Sequence, residues 1–99
     1  MSDKSIPMYA AIVWYKEDQY DELRRLFKDG HNLPPTFAAW HARVSQDIEN
    51  ARRKGMTIKK VVVDLVEFPA WCIANVHELN DKGRVAFIND KLARELGLR

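Results

Sequence analysis

The sequence predicts a small α/β domain, and three observations carry that reading. Residues 8–15, Met-Tyr-Ala-Ala-Ile-Val-Trp-Tyr, form an unbroken apolar run rich in β-branched and aromatic side chains, the composition of a strand. A second strand-like run follows at residues 58–66. Between and after these runs, apolar residues recur at helical spacing. The expected order is β-α-α-β-α-α, a two-stranded sheet with four helices in one domain over residues 8–97. A flexible tail is expected at residues 1–7.

Alternation along the first strand puts Tyr9, Ala11, Val13 and Tyr15 on one face and Ala10, Ile12 and Trp14 on the other. Neither face is polar, which predicts an interior strand covered on both sides. Residues 16–28 follow as a helix with Tyr20, Leu23 and Phe27 in its stripe. Its acids lie in the first half and its bases in the second, an order that suits the helix dipole. Gly30 is a natural stop, and a loop runs over residues 29–36.

The second helix is predicted from Pro35 to Lys54, with Phe37, Trp40, Val44, Ile48 and Ala51 in register and Gly55 ending it. In the second strand Val61, Val63 and Leu65 alternate with Lys60, Val62 and Asp64, a half-polar face suited to a sheet edge. Asp64 and Glu67 have capping-box-like spacing, but Pro69 shifts the expected start of the third helix to Phe68 or Pro69. Asn80 or Asp81 caps the last helix, whose stripe is Val85, Ile88, Leu92 and Leu96 before Gly97.

The 99 residues allow one hydrophobic core, and 46% hydrophobic with 30% charged residues is a globular balance rather than a disordered one. Lys and Arg number 16 against 14 acids, a net charge of +2 that by itself implies neither nucleic acid nor an anionic membrane. Cys72 is the sole cysteine, so no intrachain disulfide forms, and a reducing, cytoplasmic setting is expected. The run at residues 8–15 is too short to cross a bilayer. Two strands alone make a marginal sheet, so a homodimer that pairs first strands across a two-fold axis is expected.

Several short motifs carry a resemblance. They are Trp14-Tyr15-Lys16 before an acidic helix start, Leu33-Pro34-Pro35-Thr36 followed by Trp40, Phe68-Pro69-Ala70-Trp71-Cys72, and Gly83-Arg84 followed by Phe87. Together they resemble a group of short uncharacterised bacterial proteins of unknown function, over most of the chain. Members of that group often carry Asp-Pro where this chain has Asp64-Leu65. The resemblance implies a free-standing bacterial domain and no particular activity.

Each candidate chemistry has a plainer alternative. Cys72 would need a base or a cation beside it to become a reactive thiolate. His77, five residues on, lies roughly 140° around the same helix, so a small core residue is the favoured reading of Cys72. His31, His41 and His77 lack metal-ligand spacing, and no glycine-rich phosphate loop follows the first strand. No metal or cofactor is expected.

Arg52, Arg53, Lys54, Lys59 and Lys60 form a basic cluster that would contact phosphates. The favoured alternative is that cations finish a helix and lysines guard a strand. The last two helices could be mistaken for a helix-turn-helix, but Asp81, Asp90 and Glu95 interleave with Lys82, Arg84, Lys91 and Arg94. Arg84 would neutralise Asp81 or another acid, or bind an anion. Trp40 and Trp71 belong to the predicted core. The functional expectation is a non-enzymatic interaction or accessory module with a protein partner and no membrane. The alternatives are a nucleic-acid-binding protein using residues 52–60 and an enzyme built on Cys72.

Overall fold

The computed structural model describes residues 9–97; the tail expected at residues 1–7 and the Met8 start of the first strand lie outside the described residues. The chain is an α/β domain in the expected order: β1 (Tyr9–Trp14), α1 (Tyr20–Leu26), α2 (Phe37–Arg53), β2 (Thr57–Val62), α3 (Glu67–Asn75) and α4 (Asp81–Glu95). The strands are parallel, in register from Tyr9↔Thr57 to Trp14↔Val62. Parallel neighbours need a long crossover, and α1 and α2 supply it.

The predicted first helix is broken. A 3-10 turn, Glu17–Gln19, precedes α1, and the Gln19 side chain reaches across to the segment after β2. It donates to Asp64 Oδ1 at 3.1 Å and accepts from the Leu65 amide at 3.0 Å. Tyr20, Leu23 and Phe27 are buried all the same. The chain leaves the helix at Phe27, whose ψ is 138°.

Thr36 caps α2 by accepting from the Ala39 amide at 3.1 Å, and Pro34 and Pro35 remain outside the helix. Gly55 follows the C-terminus of α2 with φ 85°, a left-handed position that suits glycine. The second strand is shorter than expected because Asp64 turns the chain. Its Oδ2 accepts from the Val66 and Glu67 amides at 2.9 Å each, which caps α3 and places Pro69 in the first turn. Asn80 caps α4 by accepting from the Gly83 amide at 3.0 Å.

The core joins all four helices to the sheet. Tyr15, Tyr20, Leu23 and Phe27 meet Trp40, Val44 and Ile48 from α2, Val61 and Val63 from the second strand segment, and Phe68, Cys72, Phe87 and Ile88 from α3 and α4. Aromatic edges knit it: Tyr15 lies 5.0 Å from Trp40 and 5.8 Å from Phe27, and Phe68 lies 5.3 Å from Phe87. Each such side chain contributes roughly 1.5–3 kcal/mol by leaving water.

β1 is less covered than its sequence predicts. None of its six residues is fully buried, and Tyr9 is 48% exposed. The Val63 amide donates to the Trp14 carbonyl at 2.9 Å. In a parallel ladder a residue's N–H and C=O point to the same neighbour, so Trp14, Ile12 and Ala10 bond to β2. Ala11 and Val13 therefore direct theirs to the other edge, where no strand pairs among the described residues.

Candidate functional site

The most organised polar site lies where the loop after α1 meets α2 and the start of α4. Arg84, on the first turn of α4, is 4% exposed. Its two terminal nitrogens donate to the two carboxylate oxygens of Asp29, both at 2.8 Å. The Phe27 ring covers the guanidinium at 4.5 Å, and Asp81 stands 3.8 Å away. The Arg84 hydrogen bonds hold the Asp29 carboxyl below its ordinary range, against the opposing effect of burial. Burial works against the charge on Arg84, but Asp29 outweighs it and the net shift is upward.

Close backbone packing sets Asp29 in place. A Cβ at Gly30 would sit 1.8 Å from the Arg24 carbonyl oxygen, so only glycine lets this turn lie against α1. Downstream, Arg24 Nε donates to the Leu33 carbonyl at 3.2 Å and the Tyr20 hydroxyl donates to the Pro34 carbonyl at 2.6 Å. The Leu33–Pro34 segment is thereby fixed to α1.

These groups bound an open cleft of about 390 Å³. Leu33, Pro34, Trp40 and Val44 give it an apolar wall, Asp29 and Arg84 lie on its α4 side, and Arg43, Asp47 and Asp81 stand among its charged lining. Behind Arg84 the Tyr15 side chain is 2% exposed, and burial pushes its hydroxyl pKa well up. That hydroxyl feels the charges of Arg84, Asp29 and Asp81 and has no hydrogen-bond partner within the described chain.

The sequence singled out Arg84 and suggested Asp81 or another acid as its partner; the partner in hydrogen-bond contact is Asp29. Asp29-Gly30 reads locally as a turn, so its role was invisible without the tertiary fold. The aspartates and Arg43 on the cleft carry no motif either. Trp40, read as a core residue, is indeed buried, and it also forms part of the cleft wall.

The basic cluster is dispersed. Arg52 and Arg53 end α2, where Arg53 pairs with Glu49 at 3.6 Å, and Lys54 caps that end. Lys59 and Lys60 point to opposite faces of β2: the Lys59 ammonium lies 5.6 Å from the Tyr9 ring and the Lys60 ammonium 4.2 Å from the Trp14 ring. Five cations within nine residues thus become a helix end and two aromatic contacts on opposite faces of β2.

Cys72 is 2% exposed, its Sγ is 3.8 Å from the Glu78 carbonyl oxygen, and burial raises its thiol pKa. This is the setting of an inert thiol. His77 follows a break in the helix at Val76 but stacks on Trp71 at 5.0 Å rather than approaching Cys72. His41 lies against Trp14 and Phe37, and His31 is exposed on the 3-10 turn Gly30–Asn32. Among the described residues no group of three His, Cys, Asp or Glu side chains is arranged to hold a metal ion, and no helix is long and apolar enough to cross a membrane.

One surface stands apart from the cleft. α3 buries Phe68 and Cys72 but exposes Ile73 at 83%, and the residues flanking it, Val66 and Val76, are 76% and 92% exposed. Val76 adopts φ 56°, a left-handed conformation that a β-branched residue rarely takes. Comparison with known proteins finds no matching family model, no similar curated protein and no similar solved structure.

Proposed function

We propose that this chain is a small interaction module that carries out no chemistry of its own and recognises a protein partner through the outer face of α3. The observation that supports it is the exposure of Val66, Ile73 and Val76 around a helix whose inner side already fills the core. A helix apolar on both sides is normally buried on both. Large exposed apolar side chains grouped in this way mark contact surfaces.

A photo-crosslinking residue at Ile73, compared with one at exposed Gln46 on α2, tests the reading in cells that express the protein. A discrete adduct at position 73, absent at 46 and lost when Val76→Ser is added, is the expected result. Equal adducts at both positions, or none at either, would remove α3 as the recognition face.

The module is further proposed to be a homodimer built on the open edge of β1. Ala11 and Val13 turn backbone groups to an edge that no strand pairs among the described residues, and a two-fold axis beside them would complete a four-stranded sheet. Ala11→Pro removes an edge N–H without touching the bonds to β2. Sedimentation should show a dimer for the parent and a folded monomer for the variant; a monomeric parent at high micromolar concentration rejects the proposal. Nucleic-acid binding is the other reading, resting on Arg52, Arg53 and Lys54. Salt-sensitive binding in an anisotropy titration, abolished by neutralising those three, would replace the interaction reading.

A further inference from the structure

We propose that the cleft between α2 and α4 binds a small zwitterion, a free amino acid or short peptide with an apolar side chain, independently of the α3 face.

Buried donors without acceptors give the first half of the argument. Trp40 lines the cleft and is 6% exposed, yet its indole N–H has no acceptor within the described chain. Arg84 has five N–H groups, and Asp29 takes two. Among the described residues the rest have no acceptor within hydrogen-bond distance; the Asp81 carboxylate is 3.8 Å away. Buried donors are nearly always satisfied in folded proteins, by the chain, by water or by a ligand, and donors on an open cleft are placed to receive a carboxylate or a carbonyl oxygen.

The charge balance gives the second half. Among the described lining residues three aspartates, Asp29, Asp47 and Asp81, stand against two arginines, Arg43 and Arg84, a net negative balance. A plain anion would add to that excess. A plain cation would leave the buried donors bare. A zwitterion meets both demands: its carboxylate accepts from the donor side while its ammonium faces the aspartates.

Arg43 and Asp47, one helical turn apart and both exposed, have no ion-pair partner in the described chain and are free to take part. The Leu33–Pro34 wall, already fastened to α1, supplies a preformed apolar surface for the ligand side chain.

The test follows the Trp40 indole N–H resonance by nuclear magnetic resonance, assigned through bonds, on the full chain. Leucine, phenylalanine and the dipeptide Leu-Leu are titrated to millimolar concentrations beside their C-terminal amides and N-acetyl derivatives. The zwitterions should shift the Trp40 signal saturably, and each singly charged analogue should bind about tenfold more weakly or worse, having lost one charged hydrogen bond. Arg43→Gln should weaken leucine but not its amide; Asp47→Asn should weaken leucine but not N-acetylleucine. Both substitutions lie at exposed positions outside the core. Binding of the acetyl or amide forms as tight as the parent would overturn the proposal in favour of a simple anion or cation site. No shift with any zwitterion would overturn it outright.

Discussion

Arg84 and Asp29, 55 residues apart in sequence, meet through two parallel hydrogen bonds of 2.8 Å with the guanidinium laid on Phe27. This pair ties the start of α4 to the turn after α1. Asp29→Ala leaves a buried guanidinium without its counter-charge and is expected to destabilise the fold by about 3 kcal/mol. Arg84→Lys should recover little of the wild-type stability, since an ammonium cannot reproduce the forked contact. Urea unfolding of the single variants and of Asp29→Ala/Arg84→Met measures the coupling; a double variant as unstable as the sum of the singles would show the pair contributes nothing jointly.

Stability should fall at both ends of the pH range. Asp29 is depressed chiefly by its Arg84 hydrogen bonds, and Asp64 chiefly by the Glu67 amide with further help from Gln19. Depressed carboxyls stabilise the fold above their unfolded value of about 3.9, and that contribution disappears as the pH falls through their lower folded values. Tyr15 and Tyr20 are shifted upward by burial, so their contribution is intact below about pH 10 and is lost as the pH rises beyond it. Urea midpoints measured across the pH range should show both losses, with the raised Cys72 thiol adding to the alkaline one. Tyrosinate absorbance from Tyr15 and Tyr20 should appear at a higher pH than that of a free tyrosine.

Val76→Gly should raise stability by about 1 kcal/mol, because glycine takes the left-handed conformation without the clash that a β-branched side chain meets. At 92% exposure the substitution removes almost no packing within the chain. Thermal melts check the gain. The same variant should lose cross-linking at Ile73 if the α3 face is the recognition surface, so stability and recognition would move in opposite directions.

Cys72 should resist Ellman's reagent in the native protein and react only as the chain opens. Its burial and its raised thiol pKa both act against attack. The labelling rate should rise with urea in step with unfolding. Rapid labelling without denaturant would contradict the packing around α3.

Much of the fold was legible because local signals agreed. The Trp40–Val44–Ile48 stripe and Gly55 both pointed to the same α2, and the structure has it, starting at Phe37 after the Thr36 cap rather than at Pro35. The first helix was legible in its stripe but not in its 3-10 start or in the Gln19 contact to a residue 45 positions away, which no local window contains. The site was legible only in part. Arg84 stood out as an unusual cation near a helix start, but Asp29 looked like an ordinary turn residue. Of the five cations at residues 52–60, three end α2 and strand alternation puts the other two, Lys59 and Lys60, on opposite faces of β2. Likewise, the apolar character of β1 was plain, while its incomplete cover depended on how many neighbours the sheet supplies.

The pairing of β1 with β2 also has a consequence for the chain as it is made. Tyr9 leaves the ribosome well before its register partner Thr57. At about 5–20 residues per second, the roughly 50 intervening residues correspond to a wait of roughly 2–10 s for an apolar, aggregation-prone segment. Among the described elements, α1 and α2 are those made within that interval. The aromatic face of α2, with Trp40 at its centre, is thus the surface available to cover β1 before the sheet can form.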